Sequence, residues 1–205
     1  MLQTRTVEPR TLGLLKDLMS KPYLEQFFLV GGTALALQLG HRFSIDLDLF
    51  TMADFDQDDL LAALQLNFEV VVLTKSPSIF ITQINEVKVD FVRFRYGLLF
   101  PALQEESVRM LDIRDIAPMK LDAVTKRGSK KDFYDIYFLL QKMPLSEILD
   151  LYSKKFQHST VFHVIKSLTY FDDAENQIDP VILDTLVSWH TVKETLENEV
   201  KHLYQ

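Results

Sequence analysis

The apolar positions of the chain change period several times, and each change marks an element. Over residues 11–19, Leu12, Leu15, Leu18 and Met19 recur at the spacing of one helical face, which predicts a helix. Residues 27–31 (FFLVG) read as a short buried strand, and the following GTALALQLG, rich in Ala and Leu, as a helix that Gly40 is placed to stop. Over residues 43–50, Ile45, Leu47 and Leu49 alternate with Ser44, Asp46 and Asp48, predicting a strand with one apolar and one polar face. An acidic stretch, Asp54, Asp56, Asp58 and Asp59, leads into a helix around LLAAL. Three further strands are predicted: FEVVVLT from Phe68, SIFITQI from Ser78 and VKVDFVRF from Val87, the last two joined by a tight turn at Asn85 and Glu86.

After Pro101 the period becomes helical to the end. Phe133, Ile136, Tyr137 and Leu140 form one stripe, and Ile182, Leu186, Val192, Leu196, Val200 and Leu203 predict a long final helix. The expected fold class is α+β: an N-terminal lobe over residues 1–100, with a mixed β-sheet flanked by helices, and a helical C-terminal lobe over residues 101–205.

Composition narrows the chemistry. The 205 residues are 47% hydrophobic and 25% charged, as in an ordinary globular protein, and none is cysteine. That excludes disulfides, thiolate zinc sites and cysteine nucleophiles, and leaves oxygen and imidazole as the only metal ligands. His158, His163, His190 and His202 show no metal-ligand spacing. No apolar run approaches the roughly 18 to 20 residues that cross a bilayer, and Arg5, Glu8 and Arg10 interrupt any signal-peptide core, so a cytoplasmic protein without membrane attachment is expected. A formal net charge of -7 argues against broad, charge-driven nucleic-acid binding, while the local cluster Lys126, Arg127, Lys130 and Lys131 around Gly128 leaves a basic patch open.

Candidate chemistry centres on three acids. On a strand, residues two apart point the same way, so Asp46 and Asp48 would aim their carboxylates at one point. Such a pair repels itself unless a cation intervenes, and a hard cation with oxygen ligands, Mg²⁺ foremost and Mn²⁺ as substitute, suits it. Asp90, between Val89 and Phe91 on a later strand, could add a third carboxylate, enough to hold two metals about 3.5 to 4 Å apart. Gly31 and Gly32 stand where a strand becomes a helix, a place where backbone N–H groups can approach a triphosphate and Thr33 can add a hydroxyl; a simple tight turn would need the same glycines. Asp46 and Asp48 taken alone could be surface acids, and Asp90 could pair with Lys88 or Arg93. Arg42 could bind phosphate or balance the Asp charge. Lys120 and Arg127 lie seven apart on one helix face, an arrangement able to grip phosphate. Asp132 and Asp135 lie opposite the Phe133 stripe, where acids also suit a helix start.

The order of these features carries a resemblance. An apolar residue and two glycines, a spacer of thirteen residues from Thr33 to Ile45, then Asp46-Leu47-Asp48-Leu49 and later Val89-Asp90-Phe91, resemble the DNA polymerase beta nucleotidyltransferase superfamily. Within it, GGTALAL, GHRFSIDLDLF and DIAPMKLDAVTKRGSKKDFYDIYFLL resemble the AbiEii/AbiGii toxin family, over roughly residues 28–140. The resemblance implies an enzyme that transfers a nucleoside monophosphate from an NTP to a hydroxyl of an RNA end such as that of tRNA, or of a protein. It also implies a place as the toxin of a bacterial toxin-antitoxin or phage-defence pair, with a cognate antitoxin as partner. By the same resemblance Gly31 and Gly32 form the nucleotide-phosphate loop, Asp46 and Asp48 the metal pair, Asp90 the third acid, and Lys120 the triphosphate contact, with Asp132 and Asp135 trailing it. Where the superfamily often has serine, Gly32 offers no hydroxyl, which passes that contact to Thr33 or Ser44. A small-molecule nucleotidyltransferase of the aminoglycoside type and a non-catalytic nucleotide-binding interaction protein are the alternatives.

Overall fold

The structure is a computed structural model that describes residues 1–157, 159–184 and 186–204. His158, whose lack of metal-ligand spacing was noted above, lies outside the described residues, as do Thr185 and Gln205. The chain forms two compact units, one of residues 1–97 and 101–112, the other of residues 98–100 and 113–205.

The first unit is built on a mixed sheet of β1 (Phe28–Val30), β2 (Leu47–Thr51), β3 (Val70–Ser76), β4 (Ile79–Ile84), β5 (Val87–Arg93), β6 (Leu103–Glu105) and β7 (Val108–Met110), in the order β3-β4-β5-β2-β1-β7-β6. Helices α1 (Pro9–Met19), α2 (Gly31–Leu39) and α3 (Gln57–Gln65) flank it. Period-two patterning orients the central strands. Leu47, Leu49 and Thr51 of β2 and Val87, Val89 and Phe91 of β5 are buried, while Asp48, Lys88 and Asp90 fall on the other, partly open face. Gly40 ends α2 in the left-handed region at φ +72°, donating its N–H to the Ala36 carbonyl at 2.8 Å. The turn at Asn85 and Glu86 is as tight as its sequence suggests, with both residues at positive φ. Arg10 holds it from outside through the Asn85 carbonyl and the Glu86 carboxylate, each at 2.5 Å.

Three expectations are corrected here. Residues 101–112 are not helical: they form the β6–β7 hairpin, and β7 joins the sheet parallel to β1. Arg109 anchors it, donating to the carbonyls of Met19 at 2.8 Å and Leu24 at 3.0 Å, long-range partners that no local period could reveal. The strand predicted over residues 43–50 begins only at Leu47, because the preceding segment is drawn elsewhere: the Ser44 amide bonds to the Thr6 carbonyl at 2.9 Å and Asp46 offers its carbonyl to Thr33. The long final helix is shorter than its apolar spacing suggested. It spans Trp189–His202, with Ile182 and Leu186 before it and Leu186 exposed.

The second unit is helical, comprising α4 (Ile113–Arg127), α5 (Lys130–Leu140), α6 (Leu145–Lys155), α7 (Val161–Ser167), α8 (Asp172–Glu175) and α9 (Trp189–His202) among the described residues. Its core includes an aromatic cluster in which Phe133, Phe171 and Trp189 lie with ring centroids 5.3 to 5.7 Å apart. At its centre is an ion pair without solvent access: Lys155 Nζ stands 2.6 Å from Asp115 Oδ1, both side chains 0% exposed. Asp115 also accepts from the amides of Leu99 at 3.0 Å and Phe100 at 2.8 Å, which ties residues 98–100 to this unit. A buried carboxylate that loses its cation is left with an uncompensated charge. Replacing Lys155 by Met is therefore expected to lower stability by about 3–5 kcal/mol, seen as a lower urea midpoint, whereas the paired variant Asp115→Asn with Lys155→Met should recover part of that loss.

Candidate active site

The strand-to-helix turn after β1 has a specific steric task. Val30 pairs with Asp48 across the antiparallel β1–β2 ladder, and Gly31, at φ +67°, turns directly over that carboxylate. A Cβ on Gly31 would lie 2.2 Å from Asp48 Oδ2, and one on Gly32 would lie 2.3 Å from Arg42 Nη2. The glycine pair thus makes room for a carboxylate and a guanidinium. Arg42 is only 4% exposed, and its Nη1 donates to the Phe43 carbonyl at 2.9 Å, so the side chain sits beneath the turn. Thr33 bonds the Asp46 carbonyl and lies 2.8 Å from the Ser44 hydroxyl. Since one hydroxyl has one proton, Thr33 donates to Asp46 and accepts from Ser44. These contacts fix the backbone on which Asp46 is carried.

Asp48 and Asp90 are brought together by register. β2 and β5 run parallel with Asp48 level with Asp90, so two carboxylates stand side by side on adjacent strands. Lys88, on the same face two residues before Asp90, places its amine 2.8 Å from Asp90 Oδ2. Burial opposes the charged form of Lys88. The hydrogen bond to Asp90 and the fields of Asp90, Asp46 and Asp48 outweigh it and hold its pKa above the ordinary lysine value, so all three acids act on one cation. The other oxygen, Asp90 Oδ1, is buried and has no hydrogen-bond partner. Beside this group an open cleft of about 310 Å³ has Asp46, Lys88, Arg10 and Glu86 among its lining residues.

The expectation that Asp46 and Asp48 project together from one strand is corrected: Asp46 precedes β2. Among the described residues no three His, Cys, Asp or Glu side chains are grouped as a metal cage. The Asp48–Asp90 pair nonetheless has the chemistry of a hard-cation site: oxygen donors only, an acceptor atom of Asp90 without a hydrogen bond, and a glycine turn whose missing Cβ makes room for the Asp48 carboxylate. Lys88 entered the sequence reading only as an ion-pair partner for Asp90. Its position two residues before an acid on a strand was the legible signal that it shares the acid's face.

The second unit gathers the remaining candidates. Lys120, 5% exposed, places Nζ 3.1 Å from Asp132 Oδ1 and 2.7 Å from Asp135 Oδ2, and Arg127 Nε lies 2.7 Å from Asp132 Oδ2. Asp132 and Asp135, read in the sequence as lying opposite the Phe133 stripe, are fully buried, because α5 buries residues nearly all round. Lys130, one of the basic cluster around Gly128, is likewise buried and donates to the Glu175 carbonyl at 3.1 Å. Burial by itself would raise the pKa of Asp132, but Lys120 and Arg127 overcome it and hold the carboxyl below its ordinary value.

Two outcomes follow from this geometry. Because Asp132 is depressed in the folded chain, its contribution to stability is complete above the unfolded value of about 3.9 and is lost as pH falls through the folded value. The stability difference between wild type and Asp132→Asn, measured by urea unfolding, is thus expected to be large at neutral pH and to shrink below about pH 4. For Gly31→Ala the new methyl must displace the Asp48 carboxylate or the turn, so a fall in turnover of about 10²-fold is expected in a chain that remains folded by circular dichroism.

Comparison with known proteins gives the family. The chain matches the family described as "Nucleotidyl transferase AbiEii toxin, Type IV TA system" over residues 13–199. It is 35% identical over 193 residues to the uncharacterised protein aq_aa25 of Aquifex aeolicus (strain VF5), covering 91% of this chain and 92% of that protein. Among solved structures, JHP933 from Helicobacter pylori is similar with a TM-score of 0.60 at 19% identity, covering 97% of this chain and 93% of that one. MenT4, a nucleotidyltransferase toxin of Mycobacterium tuberculosis H37Rv, is similar with a TM-score of 0.59 at 16% identity, covering 97% and 88%. These two likenesses speak for the α+β nucleotidyltransferase fold. Among the described residues no helix is long and apolar enough to cross a membrane. With the family matched over most of its length, the chain belongs to the AbiEii nucleotidyltransferase toxins and is an enzyme of the transferase class.

Proposed function

We propose that this enzyme transfers a nucleoside monophosphate from an NTP to a hydroxyl acceptor at the Asp48–Asp90 pair, the acceptor oxygen bonding to the α-phosphorus as the α–β P–O bond breaks and pyrophosphate leaves, in a reaction that requires Mg²⁺ or Mn²⁺. The observation that carries the reading is the register of β2 and β5, which sets two carboxylates side by side against the Gly31 turn with Asp90 Oδ1 free of hydrogen bonds. Asp48 and Asp90 would hold the cation, with Asp46 adding negative charge beside it. When bound, a divalent ion supplies Lewis-acid stabilisation of phosphoryl charge.

The chain's own residues do the rest of the work. Gly31 and Gly32 keep the N-terminus of α2 bare, so that its N–H groups can receive phosphate oxygens where the helix dipole favours them. Thr33 and Ser44 hold the loop that carries Asp46. Arg42 supports the turn from beneath and adds positive charge near the phosphates. Asp90, nearest the cleft-lining Lys88, orients the acceptor hydroxyl and draws its proton. Lys120, carried by the second unit and held there by ion pairs with Asp132 and Asp135, is the residue that the family resemblance assigns to the triphosphate charge. This division makes the first unit the catalytic lobe and gives the second unit Lys120 and the acceptor.

The acceptor is an RNA 3′ end such as that of tRNA, or a protein hydroxyl, and the enzyme acts in the cytoplasm as the toxin of a pair whose antitoxin restrains it. Incubation with each of four α-labelled NTPs, Mg²⁺ and total RNA or protein is expected to label one acceptor class and to lose the label when EDTA is added. In Asp48→Asn and Asp90→Asn the label should fall by about 10³-fold or more, the scale of removing a principal electrostatic group. Labelling that persists in both variants would place the chemistry elsewhere, and labelling of an aminoglycoside in preference to RNA or protein would move the acceptor to small molecules.

A further inference from the structure

Lys88 sits where a metal-binding site would be expected to exclude a cation. It shares a strand face with Asp90, and its amine is 2.8 Å from Asp90 Oδ2. Asp46 and Asp48 also act on it. The ion pair engages one oxygen of Asp90 and leaves Oδ1 buried without a hydrogen bond, so the carboxylate is half committed. The Lys88 side chain is 42% exposed and borders the open cleft, which gives the ammonium a short path to water. The other strand-β5 cation, Arg93, is directed away to Asp54, with Nη1 2.5 Å from that carboxylate.

We infer that Lys88 is a built-in competitor of the divalent cation: its ammonium occupies the acid pair until a metal displaces it into the cleft, which keeps the site weakly loaded by metal alone. The inference rests on the metal site proposed above. A cation a few ångströms from a divalent ion is repelled, and both cannot neutralise the same carboxylate at close range. Withdrawal of the Lys88 amine frees Asp90 Oδ2 to join Oδ1, turning a half-committed carboxylate into one with both oxygens available. A long, flexible lysine stem makes that exchange inexpensive, since the displaced ammonium regains its hydration. Asp90 thereby stays in position in either arrangement. Lys88 is on this view a positioning residue that acts through Asp90 and sets the metal concentration at which the site fills.

The test measures metal binding rather than turnover. Mn²⁺ titrations of the full chain without nucleotide, followed by electron paramagnetic resonance of the free ion, are expected to show Lys88→Met binding about ten-fold or more tightly than wild type. Lys88→Arg, which keeps the charge, should stay near wild type. Independently, acetylation of wild type read by mass spectrometry should modify Lys88 several-fold faster at saturating Mg²⁺, with Lys16 and Lys75 unchanged as references; this arm decides the matter if Met at position 88 is not tolerated. Equal Mn²⁺ affinity in Lys88→Met and wild type, in a chain whose binding Asp90→Asn removes, overturns the role of Lys88 and leaves the metal site standing. Unchanged Lys88 acetylation at saturating Mg²⁺ overturns it as well. Mn²⁺ binding indifferent to both Asp48→Asn and Asp90→Asn overturns the metal placement itself.

Discussion

Two like charges held side by side constrain the rest of the first unit. The parallel register of β2 and β5 leaves Asp48 and Asp90 no freedom to separate along the sheet, because a one-residue slip of either strand would turn its own apolar pair, Leu47 and Leu49 or Val89 and Phe91, out of the core. Hydrophobic burial on one face thus enforces electrostatic repulsion on the other. Buried apolar side chains of this size contribute roughly 1.5–3 kcal/mol each, so the two that a slip would expose are a match for the repulsion of a carboxylate pair at an effective dielectric near that of a protein surface. The repulsion is then moderated locally, by Lys88 on the same face. A site of this kind is stable because the sheet, not the site, decides where the acids go.

The second unit deals with charge differently. Asp115 with Lys155, and Lys120 with Asp132 and Asp135, are ion pairs buried among packed helices, where removal of one member strands the other, and Arg127 reaches Asp132 from the surface. Lys120 and its acids therefore have a structural task whatever they do for a nucleotide. A loss of activity on replacing Lys120 carries mechanistic meaning only beside a stability measurement, since a chain that unfolds also fails to turn over.

The glycine turn joins these themes. Gly31 is required by its positive φ and by the Asp48 carboxylate 2.2 Å from where its Cβ would stand. Gly32 is required by the guanidinium of Arg42. The bare helix start that could receive phosphate is thus also the steric condition for packing an acid and an arginine beneath it. That is why the two readings of the GG pair, turn and phosphate loop, are compatible.

Much of the central sheet was legible in the sequence because its strands are short-range objects: alternation located β4 and β5 and the Asn85–Glu86 turn, and FFLVG followed by GTALALQLG located β1 and α2 with its Gly40 stop. The candidate residues were legible too, from residue type and order along the chain. What escaped were features held by distant partners. The β6–β7 hairpin depends on Arg109 reaching carbonyls some eighty to ninety residues earlier, and the late start of β2 depends on Thr6 and Thr33 claiming the segment around Asp46. Burial of Asp132 and Asp135 depends on Lys120 and Arg127 neutralising them from another helix. Local period thus determined which residues could face one another, and long-range hydrogen bonds and ion pairs decided which of them did, because those energies exist only once the chain has folded back on itself.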